Sequence, residues 1–213
     1  MRQSPSFTFA DVVEIRRVID ENPWATIVSM TDDGLVASHY VVLLDDAHDD
    51  LTVVGHVGRP DEVVHGLGEH EFLIVFQGPH GYISPAWYGD AQSVPTWNYT
   101  AVHLSGVPEI LDDDENLAAL GRMVDRFEGR MPEPRFLWER PNDPASVRRL
   151  ATGTVGFRLT PSCVSAKRKL SQNKPEETVE TIISALSAEG PYENGALAAE
   201  MRRVHDARHG DER

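Results

Sequence analysis

The sequence predicts an α+β domain built around a closed or nearly closed β-sheet, with helices attached at its edges. Short segments rich in β-branched and aromatic residues follow one another between residues 24 and 110, and helical patterns dominate after residue 112. Of the 213 residues, 40% are hydrophobic, which is enough to bury a sizeable core. Because the chain has no internal repeat and no clear linker, we expect one domain over residues 1–190, followed by a charged helical tail over residues 191–213.

The N-terminal half predicts one helix and then mainly strands. Apolar residues at helical spacing predict a first helix over residues 11–22, which Pro23 ends. Strands are predicted over residues 24–31, 35–44, 51–57, 71–77 and 95–110, with a short helix over residues 61–69. Gly78, Pro79 and Gly81 favour a turn after the fourth strand.

The C-terminal half predicts helices around one more stretch of strand. Asp112 and Glu115 have the spacing of a capping box, which begins a helix through about residue 127. Prolines then predict a loop, followed by a short helix over residues 146–151 and strand structure over residues 153–168. Pro175 begins another helix, and residues 195–209 are expected to form a highly charged helix that frays.

Composition narrows the functional classes. A formal charge of −14 disfavours direct DNA binding, because phosphate backbones are bound by Lys and Arg; residues 167–169 are the best candidate for a local basic patch. No apolar run approaches the roughly 20 residues that cross a membrane, and the N-terminus lacks a signal-peptide pattern. The only cysteine, Cys163, excludes an intrachain disulfide, and we interpret it as a packing residue. We therefore expect a cytoplasmic protein.

Three segments combine aromatic faces with amides, hydroxyls and cations: residues 75–88 (VFQGPHGYISPAWY), 94–103 (VPTWNYTAVH) and 169–174 (KLSQNK). A planar cofactor needs faces to stack on and hydrogen-bonding groups at its edge, and a phosphate group needs hydroxyls, backbone N–H groups or cations. Faces are offered by Tyr82, Trp87, Trp97 and Tyr99, amides by Gln77, Asn98, Gln172 and Asn173, and phosphate donors by Ser38, Arg59, Lys169 and Ser171. Each aromatic residue taken alone is more often a core residue, so these segments indicate a binding pocket and no particular reaction.

In this order, the strings FQGPHGYISPAWY, VPTWNYTAVHLSG, VGFRLT and KLSQNK resemble the PaiB-type FMN-binding negative transcriptional regulator family, over roughly residues 7–186. The resemblance implies a split β-barrel with peripheral helices, related to the pyridoxamine-phosphate oxidases, that binds FMN at a homodimer interface. It implies an FMN phosphate near Ser38, His39 and the loop that holds Gly55, His56 and Arg59. It also implies that Thr96, Trp97 and Asn98 approach the flavin ring, and that Lys169, Ser171, Gln172 and Asn173 close the site from this chain or its partner.

Two departures from the family pattern lie in the segments that the resemblance places near the FMN phosphate. Relatives carry Thr-His-Leu-Pro where this chain has Ser38–His39–Tyr40–Val41, and an Ala-Arg-x-Asn-Pro-x-Trp loop where it has VGRPDE at residues 57–62. Serine can replace threonine, and Arg59 keeps the cation. The two acids beside the loop nevertheless predict weaker FMN binding or a different ligand.

The histidines leave haem open as an alternative cofactor. His80, in the most unusual string, is the candidate catalytic residue. His39, His56 and His103 are candidate haem ligands, because some split barrels bind or degrade haem. No pair among these four histidines shows the i, i+4 spacing of a helical metal site, so no metal ion is predicted.

Three functions therefore stay open, in this order: an FMN-dependent oxidoreductase acting on an unknown small molecule, a flavin-based regulator without enzymatic activity, and a haem-binding or haem-degrading protein.

Overall fold

A computed structural model of the chain describes residues 1, 4–48, 50–89, 92–137 and 144–210. The described strands are β1 (Thr8–Phe9), β2 (Trp24–Thr31), β3 (Gly34–Leu44), β4 (Val53–Gly58), β5 (Phe72–Ile83), β6 (Thr96–Gly106), β7 (Glu109–Ile110), β8 (Thr154–Leu159) and β9 (Cys163–Lys169). The described α-helices are α1 (Val12–Glu21), α2 (Arg59–His65), α3 (Asp113–Glu128), α4 (Pro144–Ala151), α5 (Glu176–Ser187) and α6 (Gly195–Gly210).

These elements form two compact units. The first unit consists of Met1–Asp11, Gln77–Val102 and Ser165–Arg213, and the second consists of Val12–Phe76 and His103–Val164. Strands run in the order β1–β9–β6–β5 in the first unit and β5–β2–β3–β4–β8–β7 in the second. Strands β5, β6 and β9 each contribute residues to both units.

The second unit follows its sequence pattern closely. Strand β2 alternates between buried and more exposed residues, with Ala25, Ile27 and Ser29 on the buried face, and it pairs antiparallel with both β3 and β5. Helix α1 buries Ile15, Val18 and Ile19, as its spacing predicts. The capping box of α3 is present in full.

The first unit corrects one prediction. No turn forms at Gly78, because β5 continues through the glycines to Ile83 with an alternating burial pattern. The fraying expected of the C-terminal helix stays a prediction, but the helix packs against a core. Helix α6 buries Leu197 and Met201 in one core cluster with the apolar face of α5 and with Leu170, so its charged residues conceal an apolar stripe.

Two smaller predictions also differ from the structure. The strand predicted over residues 153–168 is divided into β8 and β9 by a turn at Pro161 and Ser162. Cys163 is exposed at the start of β9, so the interpretation as a packing residue is wrong. Within the described residues, none of the helices is both long enough and apolar enough to span a membrane.

Candidate cofactor site

A chain of hydrogen bonds crosses the predicted phosphate region of the second unit. The buried His65 contacts Ser29 Oγ through Nδ1 (2.8 Å) and Ser38 Oγ through Nε2 (2.9 Å). Ser38 donates its hydroxyl proton to Asp61 Oδ2 (3.2 Å), so the Ser38 oxygen must accept from His65 Nε2–H. His65 is therefore the Nε2–H tautomer, and its Nδ1 accepts from Ser29. Burial lowers the pKa of His65, which agrees with a neutral ring.

Asp61 also accepts a hydrogen bond from a second hydroxyl group. Tyr40 donates to the same carboxylate oxygen at 2.6 Å, and the backbone N–H of Gly58 donates to the Tyr40 oxygen at 3.0 Å. The nearby cation is likewise engaged, because Arg59 Nη1 lies 3.1 Å from Glu62 Oε2. The two acids in the first turn of α2 thus occupy the hydroxyls and the cation that a phosphate would need, and this region fits a phosphate poorly.

The remaining predicted residues of the second unit have other surroundings. Gly55 serves packing, because a Cβ atom there would lie 2.6 Å from Phe157 Cζ. His39 is exposed, and its ring stacks on Trp24 with centroids 6.4 Å apart. The half-buried His56 meets the edge of the Tyr40 ring, and burial lowers its pKa.

In the first unit, the structure brings predicted residues together at an open cleft of about 850 Å³. Its lining comprises Phe7, Tyr88, Gln92, Ser93, Val94, Thr96, Lys169, Ser171, Asn173 and Lys174. Two ammonium groups, three aliphatic hydroxyls and two amides therefore meet two aromatic side chains, one of which, Tyr88, adds a phenolic hydroxyl. None of the described residues that line the cleft is acidic.

Lysine is concentrated at this cleft. The chain has three lysines, Lys167, Lys169 and Lys174, all within eight residues, and two of them line the cleft. Lys169 Nζ donates to Thr96 Oγ1 and, at 2.9 Å, to the backbone carbonyl of Trp97. Burial, and secondarily the charge of Lys167, lowers the pKa of Lys169. A bound anion would favour the charged ammonium group and would therefore oppose both effects on the pKa of Lys169.

The turn between β9 and α5 is held by its own polar side chains. Asn98 is fully buried, and its Nδ2 donates to Ser171 Oγ at 3.0 Å. Ser171 has a left-handed backbone with φ of 60°. The Gln172 amide accepts from Leu170 N–H and donates to the Arg168 carbonyl. Gln172 and Asn98 thus shape the cleft, whereas Lys169, Ser171, Asn173 and Thr96 line it.

An aromatic pair lies on the strands beside the Lys169 anchor. The rings of His80 and Trp97 stack with centroids 6.4 Å apart and an interplanar angle of 24°. His80 Nδ1 lies 3.1 Å from the Gly78 carbonyl, which can only accept, so Nδ1 carries the proton and Nε2 is the basic nitrogen of the neutral ring. His80, Trp97 and Gln77 are all exposed.

Sequence reasoning missed Phe7, Gln92 and Ser93 as members of the cleft, and it gave no role to Tyr88 and Lys174, which end two of the candidate segments. Tyr88 lies beneath the ammonium group of Lys174, 4.7 Å from the ring centroid. The clustering of all three lysines is a signal that could have identified Lys174, whereas Phe7 lies far away in sequence and carried no signal. The candidate haem ligand His103 is half-buried on β6 in the second unit, and burial lowers its pKa.

Comparison with known proteins decides the family. The family model described as "Putative FMN-binding domain" matches residues 1–162. The chain belongs to this family. A curated relative in Bacillus subtilis, "Protease synthase and sporulation protein PAI 2", is 32% identical to this family member over 185 residues, which are 86% of this chain and 87% of the relative. This relationship confirms the resemblance to the PaiB family.

Solved structures confirm the fold class of this FMN-binding domain family member. The flavocytochrome Anf3 from Azotobacter vinelandii has a TM-score of 0.59 at 16% identity, covering 79% of this chain and 72% of that chain. The FAD and heme binding protein from Mycobacterium smegmatis has a TM-score of 0.58 at 19% identity, covering 83% and 79%. The fold is the predicted α+β split β-barrel.

Proposed function

We propose that the chain is a flavin-binding protein that takes FMN at the cleft of the first unit, with the phosphate held by Lys169 and Lys174. The supporting observation is the convergence of two of the three lysines of a strongly acidic chain on one open cleft, with Thr96 and Ser171 hydroxyls beside them. Cations and hydroxyls are the groups that bind phosphate oxygens. Family membership supports the flavin.

Each group at the cleft has a separate task in this proposal. Lys169, positioned by Thr96 and the Trp97 carbonyl, supplies a fixed positive charge, and Lys174 supplies a second one above Tyr88. The half-buried rings of Tyr88 and Phe7 line the cleft and can contact a planar group there. A bound flavin would supply redox chemistry.

His80 is the protein group that we assign to proton handling. Its Nδ1–H is committed to the Gly78 carbonyl, which leaves Nε2 to accept a proton, and Trp97 holds the plane of the ring. We place a flavin-dependent oxidoreductase first and a flavin-based regulator second. The relative's name, a protease synthase and sporulation protein, supports the second reading.

An absorption spectrum of the purified protein, before and after addition of FMN and then of haem, tests the cofactor. We expect a two-banded flavin spectrum and a change in flavin fluorescence on binding. A Soret band with no flavin signal would overturn the proposal in favour of haem and direct attention to His39, His56 and His103.

Charge variants test the position of the phosphate. We expect Lys174→Gln to weaken FMN binding about tenfold, which corresponds to the loss of one charge-assisted contact, and to leave riboflavin binding almost unchanged. Lys167→Gln removes the same charge nearby, but Lys167 lies over Tyr99 and outside the cleft lining, so it is the matched control. Equal losses for FMN and riboflavin, or equal losses in both variants, would refute this position.

Alanine at Ser38 separates the two candidate phosphate regions. Because the Ser38 proton is committed to Asp61, Ser38→Ala should not change the ratio of FMN to riboflavin affinity. A selective loss of FMN binding would instead place the phosphate near Ser38 and Arg59, at the start of α2.

A further inference from the structure

A second cleft, in the second unit, is lined by arginines. It has a volume of about 430 Å³ and lies between α1, α3 and the end of β3. This volume is within the range of small-molecule sites, about 300–1,000 Å³. None of its residues belongs to the flavin site proposed above.

Helix geometry explains why the arginines converge. Val13, Arg16, Arg17 and Asp20 recur on α1 at the i, i+3, i+4 and i+7 spacing of one helix face, and Arg122 and Arg126 are an i, i+4 pair on α3. The opposite face of α1 buries Ile15, Val18 and Ile19. Each helix therefore directs two guanidinium groups at the same space.

Charge compensation among the lining residues themselves is incomplete, because the lining carries four guanidinium groups and two carboxylates, Asp20 and Asp46. Arg126 is paired with Asp20 at 2.8 Å. Arg17 is paired with two glutamates outside the lining, Glu21 at 2.5 Å and Glu14 at 3.6 Å, so it has little charge left for a ligand.

Arg122 and Arg16 have weaker contacts with carboxylates than Arg126 and Arg17 have. Arg122 lies 4.0 Å from Asp45, whose closer partner is Arg158 at 2.9 Å. Arg16 donates to the backbone carbonyls of His48 and Asp50. Arg16 also lowers the pKa of the nearby Asp50 through its charge, but no carboxylate lies within 4.0 Å of its guanidinium group among the described residues. Of the four arginines, Arg16 and Arg122 therefore have the weakest carboxylate pairing.

The rest of the lining is apolar. Leu43 and Leu44 at the end of β3, together with Val13, form the apolar part of the cleft. Guanidinium groups bind carboxylate and phosphate oxygens through paired N–H donors. We propose that this cleft binds a small organic dianion, with its charged groups on Arg16 and Arg122 and its apolar part on the two leucines.

Binding of defined dianions tests the proposal. Phthalate and phenyl phosphate, each a dianion on an aromatic ring, should bind saturably to the full chain in calorimetric titrations at pH 8 and constant ionic strength. Tighter binding of phthalate would identify a dicarboxylate, and tighter binding of phenyl phosphate would identify a phosphate ester. Benzoate, with a single charge, should bind at least about tenfold more weakly than phthalate. Absence of saturable binding by either dianion would overturn the proposal.

Variants connect the binding to the cleft. Arg122→Gln should weaken dianion binding about tenfold, and Arg122→Lys, which keeps the charge and loses the paired donors, should weaken it less. Arg130→Gln is the matched control, because Arg130 is an exposed arginine just beyond α3 and outside the lining. Circular dichroism checks that each variant is folded. An equal loss in Arg122→Gln and Arg130→Gln would also overturn the proposal, because it would reflect net charge alone.

Discussion

Asp61 shows how one residue can redirect a binding site. Its carboxylate accepts hydrogen bonds from Ser38 and Tyr40, which the sequence alone presents as a phosphate donor and an ordinary tyrosine. The identities of Ser38 and Arg59 were readable from the sequence, but their partners were not. A hydroxyl has only one proton to donate, so its availability depends on contacts that form only in the folded chain.

At the same scale, Lys169 predicts a pH dependence of FMN binding. Burial lowers the pKa of the free Lys169 ammonium, and a bound phosphate would raise it again. Affinity should therefore be highest below the pKa of the free protein and fall as the pH rises through it. Fluorescence titrations from pH 7 to 10 measure this dependence. In Lys169→Gln the remaining pH dependence should be flatter, and an unchanged profile would contradict the assignment.

Ser171 predicts a difference between two substitutions. Its left-handed backbone suits glycine, and its hydroxyl is hydrogen-bonded to the buried Asn98. Both Ser171→Ala and Ser171→Gly lose that hydrogen bond, but alanine keeps the strained conformation. We expect Ser171→Ala to lower the free energy of unfolding by about 1 kcal/mol more than Ser171→Gly. Urea unfolding measures both; equal losses would show that the backbone strain is negligible.

At the scale of elements, the sequence predicted those whose pattern is local. Strand β2 has the predicted bounds, and α3 begins at the predicted capping box. The turn at Gly78 failed because its neighbours override local preference: a Cβ at Gly78 would lie 3.3 Å from Thr100, so glycine there permits close strand packing. The exposure of Cys163 and the division of residues 153–168 into two strands likewise depend on partners distant in sequence.

The C-terminal helix α6 carries a prediction at this scale. Leu197 is fully buried in the cluster that includes Ile182 and Leu186 of α5. Leu197→Ala should lower the free energy of unfolding by about 2–5 kcal/mol, because it leaves a cavity in that core. The nearby exposed Ala199 is the control, and Ala199→Ser should change stability by less than about 0.5 kcal/mol. A loss in Leu197→Ala as small as that in Ala199→Ser would mean that α6 contributes little packing.

At the scale of the whole molecule, three histidines predict acid sensitivity. Burial lowers the pKa values of His56, His65 and His103. In the unfolded chain these histidines take up protons near the ordinary pKa of about 6.5, whereas in the folded chain they do so only at lower pH. Stability should therefore fall as the pH decreases below about 6.5. Urea midpoints between pH 7.5 and 5 measure this loss. His56→Phe should reduce the slope, and a variant as steep as the parent would exclude a role for His56.

We also propose that the chain forms the homodimer that the resemblance implies. On β2 and β3, the cross-strand neighbours Met30 and Leu35 are 62% and 71% exposed, and Trp24 on the same face of β2 is 64% exposed. Neighbouring exposed apolar side chains such as Met30 and Leu35 are typical of interaction surfaces, and Trp24 lies at the other end of the same strand. Sedimentation should show a dimer, and Met30→Glu combined with Leu35→Glu should give monomers. Val107→Glu, which adds a charge at an exposed apolar residue elsewhere, should remain dimeric. A monomeric parent chain would refute the proposal.

The three clustered lysines have a practical consequence. Primary amines on side chains occur only between residues 167 and 174, and two of the three line one cleft. Apart from the N-terminal amine, acylating reagents therefore modify this protein only in this segment, and the rate at which Lys169 and Lys174 are modified reports whether the cleft is occupied. For the same reason, attachment to a sensor surface through amines would obstruct the cleft, so ligand measurements on this chain call for immobilisation through the exposed thiol of Cys163.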